Sequence, residues 1–155
     1  MASTLTAATL TVTHTEAISL NGYDQGSKNT LTIGSIAEIS KRIVTVTTTE
    51  AEILAFGIAA SSGTFIAADV KYIRFTNLDD TNHLTLTFRD EDSTEFCMKV
   101  DAGHSFIYPG DNSGGVKDTM HAAGSAITVS LNDLVDITAL ADTDSCDVEV
   151  FVGSA

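Results

Sequence analysis

The sequence holds no tryptophan, a single proline (Pro109), two cysteines and only eight basic residues, and each scarcity narrows what the chain can do. Without tryptophan, and with tyrosine only at Tyr23, Tyr72 and Tyr108, it is poor in the flat aromatic faces on which sugar-binding sandwiches stack their ligands. Cys97 and Cys146 are too few for a disulfide framework of the secreted kind. Both fall in alternating runs, "EFCMKV" and "SCDVEVFV", where a thiol behaves as a small hydrophobe, and their pairing stays open.

The basic residues, Lys28, Lys41, Arg42, Lys71, Arg74, Arg89, Lys99 and Lys117, are scattered among 21 Asp plus Glu, for a formal net charge of −13. Nucleic-acid binding draws its affinity from Lys and Arg displacing condensed counterions, so this balance argues against nucleic acid and against an anionic membrane as partner. No run nears the eighteen or so apolar residues of a membrane-spanning helix. The start, "MASTLTAATLTVTHTE", lacks the basic n-region and compact apolar h-region of a secretory signal, which leads to an expectation of synthesis in the cytosol.

What is present is apolar material in short alternating runs. Hydrophobic residues make up 43% and charged residues 19%, enough to build one packed core in 155 residues and too apolar for disorder. The dominant period is two, the signature of half-buried strands. "TLTAATLTVT", "NTLTIG" and the β-branched "RIVTVTTTE" read as strands. In "VKYIRFTN" the inward set is Ile73 and Phe75, with Tyr72 on the polar face and its hydroxyl in water. In "LTLTF" it is Leu84, Leu86 and Phe88; in "EFCMKV" it is Phe96, Met98 and Val100. The polar turn "RDEDSTE" between the last two makes Leu84 to Val100 the clearest hairpin.

"SFIY" adds a strand from Ser105 to Tyr108 that Pro109 stops, followed by a glycine-bearing loop through Gly115, and "VKDTMHAAGSA" is open between a short helical turn and a loop. "AITVSL", "LVDITAL" and "CDVEVFVG" read as three closing strands, while "TEAEILAFG" reads as strand rather than helix. The whole predicts one all-β domain over 1–155, a single-domain antiparallel β-sandwich, jelly-roll-like, of roughly nine to eleven short strands. Residues 1–13 are expected to form a strand or arm that pairs with a neighbour, with Leu5, Leu10 and Val12 as exposed contacts. Threonine enrichment is read as β-propensity on solvent-facing positions, ahead of O-glycosylation or ice binding.

Constellations that carry chemistry are not apparent. His14, His83, His104 and His121 show no HxH, HExxH or Cys-pair spacing, so no zinc site is indicated. The glycine–serine pairs do not form a strained nucleophile turn, Cys97 sits between Phe96 and Met98 on an ordinary strand, and "PGDNSGGVKDT" has its glycines in the wrong frame for a phosphate loop. Carboxylates cluster at Asp79 and Asp80, at Asp90, Glu91 and Asp92, and at Asp142, Asp144 and Asp147. The last group, "DTDSCD", has part of a calcium loop but lacks its central glycine and closing glutamate. The chain is therefore read as non-enzymatic, with no catalytic, cofactor-binding or metal-ligating residues assigned and no cofactor.

The order "YIRFTNLDDTNHLTLTF" then "EFCMKVDAGHSFIYPGDNSGG", from about Val70 to Gly115, resembles small β-rich virion proteins of tailed bacteriophages, especially marine and cyanobacterial phages. The resemblance implies a capsid cement or decoration protein, located on the virion and made in the host cytoplasm. It would bridge subunits of the major capsid protein and associate with itself, commonly as a trimer. Two alternatives stay open: a head–tail neck or tail component, and a ligand-binding β-sandwich for sugar or calcium.

Overall fold

Alternation becomes strand wherever the side chains have a core to face. The computed structural model describes residues 5–61, 63–109, 116–118 and 132–155. Its strands are β1 (Ala8–Glu16), β2 (Ser19–Leu20), β3 (Tyr23–Asp24), β4 (Ser27–Ile36), β5 (Glu38–Val46), β6 (Ala51–Gly57), β7 (Thr64–Ile66), β8 (Val70–Asn77), β9 (Leu84–Asp90), β10 (Glu95–Val100), β11 (Ser105–Pro109), β12 (Lys117–Asp118), β13 (Asn132–Ala141) and β14 (Cys146–Ser154). Among the described residues helix is limited to a 3-10 turn, Ala67–Asp69. The predicted strand "AITVSL" and most of "VKDTMHAAGSA" lie outside the described residues.

The strands form an all-β sandwich. One sheet runs β10-β9-β13-β6-β7, with β12 beside β13, and the other runs β11-β8-β14-β5. All pairings are antiparallel except β6 with β7, which is parallel and departs from the uniformly antiparallel expectation. The predicted Leu84 to Val100 hairpin forms, Phe96 opposite Phe88 and Val100 opposite Leu84. Its turn is closed by the Ser93 amide donating to the Asp90 carbonyl at 3.1 Å, with Ser93 in the left-handed region at φ 62°. The buried Asp90 carboxylate ties that turn down by accepting from the Thr94 amide at 2.8 Å.

Strands β8 and β9 belong to different sheets, so the loop between them crosses the sandwich and "YIRFTNLDDTNHLTLTF" is not a hairpin. Both present large side chains to one core: Ile73, Phe75, Leu84, Leu86 and Phe88 are all buried. Phe88 is its hub. It meets Phe75 edge-on at 6.2 Å and stacks on Phe96 at 4.6 Å and Tyr108 at 5.4 Å, contacts worth about 0.5–1.5 kcal/mol each beyond burial. The crossing is pinned by Asn77, fully buried at the end of β8. Its amide nitrogen donates to the carbonyls of Asn82 at 2.9 Å and Val100 at 3.2 Å. Its side-chain oxygen accepts from the Asp79 amide at 3.0 Å. At the other edge, the Arg42 guanidinium on β5 donates to the Ile53 carbonyl on β6 and ties the two sheets together.

Two burial expectations are corrected. Met98 faces the same side as its partner Leu86, yet it stays 37% exposed because β10 is the outermost strand of its sheet. Tyr72 does lie on the outer face of its sheet, but it is only 5% exposed. It forms a second, smaller core with Ile33 and Ile36, against which Leu10, Val12, Ile107 and Phe151 pack.

Candidate interaction surface

That second core exists because β1 and β4 pair with each other and lie across the outer face of the β11-β8-β14-β5 sheet. Residues 1–13, expected as a strand or arm that pairs with a neighbour, are paired within their own chain from Ala8 onward. Of its proposed contacts, Leu5 is 69% exposed, whereas Leu10 and Val12 are half-buried against the sheet. Directly opposed residues share a face of an antiparallel pair, so the register sorts the ribbon into two surfaces. Leu10 opposite Ile33 and Val12 opposite Leu31 turn toward the sandwich; Thr11 opposite Thr32 and Thr13 opposite Thr30 turn to solvent. Part of the threonine enrichment is accounted for here.

Beyond Val12 and Leu31 the ribbon leaves the sheet. Residues 13–25 and 27–30 are all exposed, so neither face of this part packs on the sandwich. The tip is a two-residue hairpin, with Leu20 opposite Tyr23 and a turn at Asn21 (φ 53°) and Gly22 (φ 81°). Two left-handed residues in succession make the type I′ turn that Asn-Gly favours and that matches strand twist. Below the tip the backbone bulges: the Gln25 amide donates to Ile18 at 2.9 Å and the Gly26 amide to the Asp24 carboxylate at 2.9 Å. The Ser27 hydroxyl donates to Glu16 across the ribbon. At the tip the apolar side chains are in solvent: Ile18 is 56% exposed, Leu20 60% and Tyr23 73%.

Where the ribbon meets the sheet it leaves a groove of about 400 Å³, with Leu10, Val12, Ile107 and Phe151 as apolar lining and His14 and Arg74 among its polar groups. Arg74 Nη2 lies 2.5 Å from Glu149 Oε1, and Lys41 Nζ lies 3.0 Å from Glu149 Oε2. Hydrogen bonds from Lys41 and then Arg74 hold the Glu149 carboxyl below its ordinary range. Both cations thus close on one carboxylate, and Asp147, two residues along the same face of β14, accepts from Thr45 on β5. Burial pushes the Tyr72 phenol up, against a smaller opposing effect of Arg74.

The residues weighed for chemistry are held in other structural roles. Asp79, Asp80 and Asp147 border an open depression with Thr45 and Ser145. Asp79 accepts from the amides of Thr81 at 2.8 Å and Asn82 at 2.6 Å, which lowers its pKa, and Asp147 accepts from Thr45 at 2.7 Å. Asp144 accepts from the Ser145 amide, and Asp142 lies 3.4 Å from His83 Nδ1. His104 Nδ1 sits 2.9 Å from the Ala102 carbonyl within its own turn, His14 is on the ribbon, and His121 lies outside the described residues. Among the described residues no group of three or more His, Cys, Asp or Glu is arranged to hold a metal ion.

Glu91 and Asp92 are exposed in the β9–β10 turn. Cys97 is exposed and Cys146 buried, and both are free thiols. On the outer face of the other sheet Arg89 joins Glu50 at 2.7 Å, Glu95 at 3.0 Å and Asp136 at 3.2 Å, an ion network on the surface. The tip hairpin was missed in sequence, although Asn21-Gly22 between "SL" and "YD" is the strongest short hairpin signal. Compared with known proteins, the chain matches no family model, no curated protein and no solved structure.

Proposed function

We propose that the protein is a non-enzymatic structural component of a virus particle, a capsid cement or decoration protein that bridges subunits of the shell and associates with itself. The observation that carries this reading is the ribbon: a two-stranded β-element, exposed on both faces and apolar at its tip, projecting from a well-packed sandwich. An isolated two-stranded hairpin is marginally stable in water, so such an element fits a chain that works by contact with other subunits.

Strand order supports the same class. Numbered one to eight along the chain, β5, β6, β8, β9, β10, β11, β13 and β14 pair as six-three-eight-one in one sheet and five-four-seven-two in the other. That interleaving is the one two rolled Greek keys produce, and we read it as a jelly roll, an arrangement that viral capsid and lectin domains use. Fold analogy alone does not carry function. The resemblance of Val70 to Gly115 to phage virion proteins points the same way.

Electron microscopy of particles from the culture that carries the gene, labelled with antibody raised against the recombinant chain, tests the proposal. Label over the head surface is the expected result. Label confined to the neck or tail would move the protein to that part of the particle, and unlabelled particles would overturn the reading. A glycan array and a calcium titration are expected to stay silent; a specific signal in either would favour a ligand-binding sandwich.

A further inference from the structure

We infer that the ribbon tip of one chain docks into the ribbon-base groove of a second copy, so that the protein self-associates head to tail. Both halves of this contact are present in each chain. The tip offers Ile18, Leu20 and Tyr23 to solvent, flanked by the carboxylates of Glu16 and Asp24. The groove offers Leu10, Val12, Ile107 and Phe151 beside His14 and the guanidinium of Arg74, with Lys41 on β5 opposite Phe151 at its margin. Apolar meets apolar and acidic meets basic, which is the complementarity a specific contact needs.

A chain cannot make this contact with itself. Groove and tip lie at opposite ends of one ribbon, with Val12 in the groove and Leu20 at the tip. Eight residues of strand at about 3.3 Å each separate them by roughly 25 Å. The occupant must therefore come from another molecule, and a tip of identical sequence is always at hand. Using two different patches makes the interface heterologous, and heterologous contacts close into rings when the rotation permits. Of the other exposed apolar residues, which include Ile39 and Ile43 on β5, the most exposed is Ile58, and it lies at a separate pocket with Glu91 and Asp133, two carboxylates that would repel an acidic tip.

The inference rests on the assembly reading and deepens it, and the two fail separately. Protein found on particles but monomeric in solution would overturn the docking alone; a ring absent from particles would overturn the particle reading alone. The test is native mass of the full chain from about 1 to 100 µM. The wild type is expected to be oligomeric. The tip variant carrying Ile18→Asp and Leu20→Asp is expected to self-associate at least ~30-fold more weakly, the loss typical of an interface hot spot. Ser105→Trp, at an exposed position on the groove, blocks the groove without removing packed atoms and is expected to weaken association likewise. Ile58→Asp is expected to keep the wild-type mass.

The decisive arm mixes the tip variant, whose groove is intact, with Ser105→Trp, whose tip is intact. A one-to-one complex of the two is expected. A monomeric wild type at 100 µM, wild-type association in either variant, or no complex in the mixture would overturn the inference.

Discussion

A side chain on Gly26 would begin 2.3 Å from the carbonyl oxygen of Glu16, inside the closest approach that real Cβ atoms make. The ribbon below its tip is thus closed around a position that only glycine fits. Gly26→Ala is expected to open the bulge and disorganise residues 17–25. The sandwich should keep its melting temperature to within about 2 °C, since the ribbon tip contributes nothing to its core. Self-association should fall as it does for the tip variant, and calorimetry alongside native mass checks both. A wild-type oligomer from Gly26→Ala would show that the tip geometry does not matter.

Asn77 joins the sheets at the crossing from β8 to β9. Asn77→Ala leaves the Val100 and Asn82 carbonyls and the Asp79 amide without this partner. We expect a loss of about 3 kcal/mol, within the range for stranding buried polar groups. In a domain of this size that lowers the melting point by roughly 6–12 °C. Chemical denaturation is the check, and a change of a few tenths of a kcal/mol would contradict the assignment.

Glu149 should give stability a pH dependence that a difference measurement isolates. Its carboxyl is held below its ordinary range by Lys41 and Arg74, so the folded state binds its proton less readily than the unfolded state. The advantage of wild type over Glu149→Gln is therefore full above the ordinary glutamate range and fades as pH falls through the lowered folded value. Melting curves of both proteins from pH 7 to pH 3 should converge at the acid end. Curves that separate further on acidification would reverse the sign.

The thiols should react on very different timescales. Cys146 is fully buried, and burial, followed by the charges of Asp79, Asp144, Asp142 and Asp147, pushes its pKa up, both of which slow attack by a thiol reagent. Cys97 is exposed on β10. One rapid equivalent per chain is expected with a disulfide reagent in buffer, and a second only in denaturant. Two rapid equivalents would contradict the burial of Cys146.

Local pattern and tertiary arrangement were legible to different degrees. Alternation placed Ile73, Phe75, Leu84, Leu86 and Phe88 in the core, because period two reports which residues share a face. It does not report what covers the opposite face. Tyr72 therefore looked wet, although Ile33 and Ile36, more than thirty residues earlier, lie over it. Nor does period two say which sheet a strand joins, so the crossing of the sandwich between β8 and β9 left no mark in the alternation. The groove was illegible for the same reason: Leu10, Ile107 and Phe151 come from three distant strands that only the packing of β1 and β4 on the sheet brings together.

Central to this account is a ribbon that is bare in the single chain and covered on assembly. Amide hydrogen exchange over residues 17–32, measured at about 1 µM and 100 µM, tests it most directly. Protection of this segment is expected to rise with concentration while that of β9 and β13, in the other sheet, stays constant. Exchange of the segment that is fast and independent of concentration would contradict the account.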